Sequence, residues 1–365
     1  MSGVRLRELG LDLPLDPCGP DNAITDVPGV RVGHTTLVSG HGPLVIGRGP
    51  VRTGVTVIKP RHGYERDSPV YAGAATLNGN GEFTGLEWVR ESGLLTTPIA
   101  ITNTHSVGTV RDALVRYDPE HATRTDYWSM PAVAETYDGV LNDINGMHVR
   151  EEHVHAALRA AAGGPVAEGS VGGGTGMICH GFKGGIGTAS RLAGPWTVGA
   201  LVQANYGRRE DLRVCGYPVG RLLGEDVVPL PGAALAPGSG SIIIVLATDA
   251  PLLADQCRRL AQRAFVGLAR VGGGCADSSG DIALAFATGN EGLTPEYVTA
   301  AEQPISVRTL PHQALSPLFE AAAGATEEAI LNALLAAETM TGAGGVTAHG
   351  LSTAVLIDAL RRCSP

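Results

Sequence analysis

Few residues here carry charge. Asp, Glu, Lys and Arg make up 17% of the chain, and the net charge of −9 leaves no basic stripe to neutralise phosphates, which excludes nucleic acid as a partner. No apolar run approaches the roughly 20 residues that a membrane span needs. The opening Met1-Ser2-Gly3-Val4-Arg5-Leu6-Arg7-Glu8 lacks the apolar core of a signal peptide, so no leader is expected. The six cysteines (Cys18, Cys179, Cys215, Cys257, Cys275, Cys363) form no CxxC pair. They read as small buried residues in a reducing compartment, neither a zinc site nor a disulfide frame, and the cytoplasm is the expected location. Several catalytic signatures are missing too. Gly172-Gly173-Gly174-Thr175-Gly176-Met177 has neither the GxGxxG spacing nor a P-loop lysine. Glu151-Glu152-His153-Val154-His155 is not HExxH, and histidines two apart diverge on a helix, so no metal is expected there. Gly350-Leu351-Ser352-Thr353-Ala354 lacks the second glycine of a nucleophile elbow.

What remains describes a well-packed globular chain. Of 365 residues, 44% are apolar, enough for a sizeable core in one large α/β domain or two. The 51 glycines follow no Gly-X-Y period and signal tight turns and close backbone approaches. Short Val-, Ile-, Thr- and Ala-rich runs bounded by Gly, Pro or Asp predict strands over 51–59, 98–104, 196–206, 241–248 and 281–288. Thr248-Asp249-Ala250-Pro251 opens a helix in which Leu253, Cys257, Leu260, Ala264 and Leu268 recur at steps of three and four. A pair of helices divided at Gly324 is expected over 313–340, with Thr326 as N-cap and Glu327 and Glu328 at the positive end of the second dipole. Sheets covered by helices follow from this mixture.

The most informative stretch is Gly238-Ser239-Gly240-Ser241-Ile242-Ile243. A small, flexible segment stops abruptly where a serine opens the run Ile242-Ile243-Ile244-Val245-Leu246. Ser241 thus stands at the mouth of a buried strand, after a residue with no side chain to shield its carbonyl. Such a serine can attack the Gly240 carbonyl, split its own backbone, and emerge with an α-amine able to serve as its base. A surface loop running into a core strand is the plainer account. Three further clusters admit two readings each. Ser279 and Asp281 lie two apart, so on an extended chain both face one way. They can orient a nucleophile, or simply start the strand. Glu135 and Tyr137 share that spacing and suit a substrate ammonium and an oxyanion, or a surface turn. Asn205 ends a strand, where an amide can serve as oxyanion donor or turn-former. His34 and His105, near strand ends, are the remaining general-base candidates.

Eight segments in order resemble one family. They are Asn22-Ala23-Ile24-Thr25-Asp26-Val27-Pro28-Gly29-Val30, Leu77-Asn78-Gly79-Asn80-Gly81-Glu82, Thr102-Asn103-Thr104-His105-Ser106-Val107-Gly108 and Glu135-Thr136-Tyr137-Asp138-Gly139, then Gly172 to Met177, Gln203 to Gly207, Gly240-Ser241 with its strand, and Ser279-Gly280-Asp281. The pattern, from about residue 20 to about residue 355, resembles the P1-type self-processing serine aminopeptidases of peptidase family S58. These are typified by L-aminopeptidase/D-amidase/D-esterase, with β-peptidyl aminopeptidases as a close branch.

The resemblance implies a four-layer α-β-β-α sandwich. It is like that of N-terminal nucleophile hydrolases but wired differently, and is shared with ornithine acetyltransferase. It also implies a single catalytic domain over 1–365, cleaved between Gly240 and Ser241 into chains 1–240 and 241–365. By motif match Ser241 is the nucleophile, Ser279 and Asp281 orient and polarise it, Glu135 binds the substrate amine, and Tyr137 and Asn205 lie against the oxyanion. The implied substrates are small peptides, amino-acid amides and esters, with no cofactor, and relatives suggest tetramers or larger rings. One departure is that the β-peptidase branch has Glu where this chain has Asp281, so a looser contact with Ser241 is expected. An acyltransferase of the ornithine acetyltransferase kind and a non-catalytic binding protein on the same scaffold are the alternatives.

Overall fold

The structure is a computed structural model that describes residues 4–118, 123, 125–232, 240–293 and 304–363. In chain order its strands are β1 (Arg31–Ser39), β2 (Val51–Lys59), β3 (Val70–Gly79), β4 (Leu94–Leu95), β5 (Ile99–Asn103), β6 (Ala132–Thr136), β7 (Ile178–Cys179), β8 (Phe182–Lys183), β9 (Gly185–Ala193), β10 (Trp196–Asn205), β11 (Gly240–Thr248), β12 (Ser279–Ala287), β13 (Met340–Thr341) and β14 (Thr347–Ala348). The helices are α1 (Leu86–Ser92), α2 (Val107–Tyr117), α3 (Glu151–Ala160), α4 (Ala254–Val271), α5 (Ser316–Ala336) and α6 (Thr353–Cys363). All five strand runs expected from the sequence are present, each within two residues of its expected ends.

Two sheets form the body. One has four strands in the order β1-β2-β5-β6, the other six in the order β4-β3-β12-β11-β10-β9. In the larger sheet β11 runs parallel to β12 and antiparallel to β10. Flanked by strands on both sides and covered on both faces, β11 needs apolar side chains at every position, hence the unbroken Ile-Ile-Ile-Val-Leu run. Its alternate residues go to different layers. Ile243, Val245 and Ala247 join Ile101, Ala134, Leu284 and Phe286 in the core between the sheets. Ile242, Ile244 and Leu246 pack under α4 and α5 with Leu260, Ala264 and Ile330. Each of the five apolar side chains from Ile242 to Leu246 is fully buried, worth about 1.5–3 kcal/mol apiece relative to exposure. A third core joins Val55, Val57 and Val133 of the smaller sheet to Val110 of α2 and Leu158 of α3. The layers therefore run helix, sheet, sheet, helix, the expected α-β-β-α sandwich.

Three expectations need correction. The segment 313–340 holds one long helix, α5, which runs straight through Gly324. The Arg191 guanidinium lies against that glycine and donates to its carbonyl at 3.1 Å, so tertiary packing carries the helix past the weak residue. Thr326 is accordingly mid-helix, its hydroxyl bonded to the Ala322 carbonyl at 2.8 Å rather than capping. Glu328 is buried and paired with Arg7 and Arg191 instead of facing a helix N-terminus. At α4, Asp249 accepts from the Thr197 N–H, and Gln256 caps the helix by accepting from the Leu253 N–H at 3.0 Å. Finally, the six cysteines are unpaired, yet only Cys179 and Cys257 are buried, and Cys275 is exposed. No helix among the described residues is long and apolar enough to cross a membrane.

His180, between β7 and β8, is fully buried, with its ring edge-on to Tyr206 at 4.9 Å. Its Nδ1 pairs with the Arg208 carbonyl at 2.8 Å, and burial lowers its pKa from 6.5 to about 4. Between those values the unfolded chain takes up a proton that the folded chain refuses. His180 therefore costs no stability above pH 6.5, and up to about 3 kcal/mol is lost as pH falls toward 4. His180→Asn tolerates the backbone at φ +50° and keeps an amide donor, so it should melt with a shallower dependence on acid. Thermal melts of both proteins from pH 7 to pH 4 check this. Equal slopes would remove His180 from the acid sensitivity.

Candidate active site

The site gathers where strands of both sheets end or begin. Ser241 is the second residue of β11, directly opposite Asn205 at the end of β10 and Gly280 at the start of β12. Gly238 and Ser239, which precede it in the sequence motif, lie outside the described residues. Gly240 has φ +148°, and a Cβ there would meet the Asn205 carbonyl oxygen at 2.3 Å and the Tyr206 Cα at 2.7 Å. Only glycine fits before Ser241, for reasons of space and of backbone together.

Ser241 is nearly buried, and its Oγ accepts the Gly280 N–H at 3.1 Å. A Cβ on Gly280 would come 2.4 Å from the Asn80 carbonyl oxygen, so that backbone donor is also glycine-dependent. Ser279 and Asp281 share a face as the spacing implies: the Ser279 hydroxyl donates to Asp281 Oδ1 at 2.6 Å. Asn78 of β3 donates to the other Asp281 oxygen at 2.7 Å. Burial raises the Asp281 carboxyl above its ordinary value, and these two hydrogen bonds oppose the rise. Aspartate is thus long enough to hold Ser279. The donor that meets Ser241 Oγ is the Gly280 N–H rather than the Ser279 hydroxyl, which stands abreast of Gly240.

Glu135 and Tyr137 part company. Glu135, in β6, is 4% exposed, whereas Tyr137, one residue past the strand, is 49% exposed with its ring over Gly139. The Glu135 carboxylate accepts the Glu82 N–H at 3.0 Å and the Thr104 hydroxyl. Burial pushes its pKa up, against those two donors. A point beside Gly81, where its Cβ would stand, lies 3.3 Å from both Glu135 Oε1 and the Gly280 Cα. The Glu135 carboxylate and the backbone that donates to Ser241 Oγ therefore approach the same point. A cavity of about 540 Å³ lies beside Gly81, lined by Phe83, Trp88 and Ile282 and also by Glu87, Arg90 and Arg111. Asn205 is fixed at both ends of its amide: Oδ1 accepts the Ile178 N–H at 2.8 Å, and Nδ2 donates to the Tyr137 carbonyl at 2.9 Å. One Asn205 N–H remains for another acceptor.

Among the described residues, neither histidine candidate is hydrogen-bonded to Ser241, though the His105 charge acts on Glu135 and opposes the rise of its pKa. His34 pairs through Nδ1 with Thr56 Oγ1 at 3.0 Å, and burial lowers its pKa to about 4. His105 is exposed. His153 and His155 also diverge, the first accepting the Arg150 N–H at 3.0 Å and the second meeting the Ala113 carbonyl at 3.1 Å. Sequence reasoning gave no role to Gly280, Asn78 or Thr104. All three stood inside motif segments already singled out, which was the available signal.

The chain is similar to known proteins along nearly its whole length. The model of peptidase family S58 matches residues 22–348. The chain is 50% identical to the β-peptidyl aminopeptidase BapA of Sphingosinicella microcystinivorans, an alignment covering 99% of this chain and 92% of that one. Among solved structures it is similar to a Burkholderia sp. β-aminopeptidase, at a TM-score of 0.92 and 59% identity over 99% of both chains. It is also similar to the L-aminopeptidase D-Ala-esterase/amidase of Ochrobactrum anthropi, a variant of the Ntn hydrolase fold. That match has a TM-score of 0.89 and 43% identity over 98% of both chains.

Alanine at position 240 forces a methyl group against the Asn205 carbonyl and a backbone that L side chains rarely adopt. Gly240→Ala should cost at least about 1–3 kcal/mol and loosen the Ser241–Asn205 pairing. A thermal melt of freshly made protein reads this directly. A melting temperature equal to the native one would show that the junction has room the geometry denies it.

Proposed function

The chain belongs to peptidase family S58 and is a hydrolase of the aminopeptidase and amidase kind, and we propose that it works through an acyl-enzyme on Ser241 after cleaving itself between Gly240 and Ser241. In the self-cleavage, Ser241 Oγ bonds to the Gly240 carbonyl carbon, the C–N bond breaks, and the hydroxyl proton passes to the departing nitrogen. Water then hydrolyses the ester, leaving a Gly240 carboxylate and a free Ser241 α-amine. With an unperturbed pKa of about 7.7–8.0, that amine is partly neutral near pH 7 and accepts the hydroxyl proton in each later cycle. The Ser279 hydroxyl, abreast of Gly240 and backed by Asp281, stands where it can steady this amine.

In turnover, Ser241 Oγ attacks the substrate carbonyl, the α-amine passes the proton to the leaving amine or alcohol, and water releases the product acid. The free N–H of Asn205 is the oxyanion donor closest in register, and Tyr137 keeps its place as a further candidate at the rim. Glu135 binds the substrate ammonium. The observation that carries the aminopeptidase reading is the shared point beside Gly81, 3.3 Å from Glu135 Oε1 and from the Gly280 Cα, whose N–H touches Ser241. A carboxylate that approaches the backbone donor of Ser241 is placed to hold the ammonium of a residue whose carbonyl meets the serine. The neighbouring cavity, lined by Phe83 and Trp88 together with Glu87, Arg90 and Arg111, gives that residue's side chain a berth of mixed character. A peptidase family favours hydrolysis over the acyltransferase and binding-protein alternatives.

Glu135→Gln separates binding from chemistry. No free amine exists at the Gly240–Ser241 bond, so the variant should still cleave itself. On amino-acid amides it should lose roughly 10- to 100-fold in kcat/KM, the size of one charge-assisted contact of about 1.5–3 kcal/mol. N-acetylated amides should be poor substrates for the native protein and little affected by the change. Native-rate turnover of free-amine substrates by Glu135→Gln would reduce Glu135 to a strand residue.

A further inference from the structure

Lysine is scarce in this chain: Lys59 and Lys183 are the only two. Lys183 is also fully buried, an unusual place for an ammonium group. Its Nζ donates to three backbone carbonyls, Gly174 at 3.2 Å, Met177 at 2.9 Å and Gly184 at 2.7 Å. Burial lowers its pKa, and the buried carboxyl of Asp138 opposes that shift. An apolar side chain would fill the same space without the desolvation cost of a charge. The question is what the charge does there.

The answer lies in where the Met177 carbonyl leads. It belongs to the Met177–Ile178 peptide, and the N–H of that same peptide is the donor to Asn205 Oδ1 at 2.8 Å. The Asn205 amide then donates to the Tyr137 carbonyl at 2.9 Å and keeps one N–H spare. Two amide groups thus stand in series between a cation and the neighbour of Ser241. Each is polarised in the sense that strengthens the next donor, because charge drawn toward Lys183 leaves the far N–H more positive. The triple tie also pins the buried turn Gly172–Gly174 to the start of β9, so the peptide cannot swing away from Asn205.

We infer that Lys183 is a positioning residue for the reaction, holding and polarising the Met177–Ile178 peptide so that Asn205 stabilises the oxyanion formed at Ser241. This rests on the reading of Asn205 as oxyanion donor given above. Lys183 touches neither substrate nor nucleophile, and its effect passes through Asn205.

The test uses the full-length chain with Lys183→Met, Lys183→Gln, Asn205→Ala and the double variant Lys183→Met/Asn205→Ala. Active sites are counted with a serine-directed acylating probe, and kcat and KM are measured per counted site on a free-amine amino-acid p-nitroanilide. Removing an oxyanion donor outright costs about 10²–10³-fold in kcat. Lys183→Met should lose roughly 10- to 100-fold in kcat per site, with KM within about threefold because Glu135 still holds the ammonium. Lys183→Gln, which keeps amide donors but no charge, should fall between it and the native protein. In the Asn205→Ala background, Lys183→Met should cost less than about twofold more, the non-additivity of residues acting as one unit. A purely structural lysine would lower the melting temperature and the number of counted sites but leave kcat per site unchanged, and that result overturns the inference. Full additivity in the double variant, or failure of both lysine variants to fold, overturns it as well. If Asn205→Ala itself leaves kcat per site at the native value, the oxyanion reading fails and takes this inference with it. If Asn205→Ala is slow and Lys183→Met is not, only the inference about Lys183 fails.

Discussion

Burial of β11 on both faces is the constraint on which the rest of the structure depends. A strand in mid-sheet, sandwiched between a second sheet and two helices, cannot shift register without moving Ile243 or Ile244 into the wrong layer. That rigidity reaches its first two residues. Ser241 is held opposite Asn205 and Gly280 by the same ladder that fixes the isoleucines. The preceding residue is squeezed against β10 so closely that it must be glycine. Ser241 and the unshielded Gly240 carbonyl are thereby set side by side by packing elsewhere in the fold.

The polar groups around Ser241 obey the opposite economy. Glu135 and Asp281 are buried carboxyl groups whose pKa values rise because water is excluded, and away from the serine the buried Asp138, raised to about 7, is a third. Each is held by hydrogen-bond donors: Glu82 and Thr104 for the first, Ser279 two residues away and Asn78 across the sheet for the second, and Asn142 four residues away for the third. Unsatisfied, such groups would destabilise the fold. Satisfied, they keep a fixed direction in a low-dielectric pocket, where a substrate ammonium or a developing oxyanion feels them most strongly.

How much of this was legible in the sequence depended on range. The abrupt change from Gly-Ser-Gly to an isoleucine run revealed the start of β11, and an i, i+2 spacing revealed that Ser279 and Asp281 face together, because both are local facts. The layered fold followed from strand and helix patterns combined with the family resemblance. What failed were local rules overruled from afar: Gly324 does not break α5 because Arg191 packs onto it, and Thr326 does not cap. What stayed hidden were contacts made only by register. Asn78 meets Asp281 across 203 residues, and the Gly280 N–H reaches Ser241 across 39. Lys183 left a faint trace, a solitary lysine in a glycine-rich apolar stretch, but its three carbonyl partners exist only once the chain has folded.

The central claim is that Ser241 becomes the N-terminus of a new chain. Intact mass and N-terminal sequencing of freshly purified, active protein test it most directly. Two chains of 240 and 125 residues are expected, the second beginning Ser-Ile-Ile-Ile, with Ser241→Ala remaining a single inactive chain of 365. An active protein that remains one uncut chain, or a Ser241→Ala protein that still hydrolyses amino-acid amides, would contradict the account.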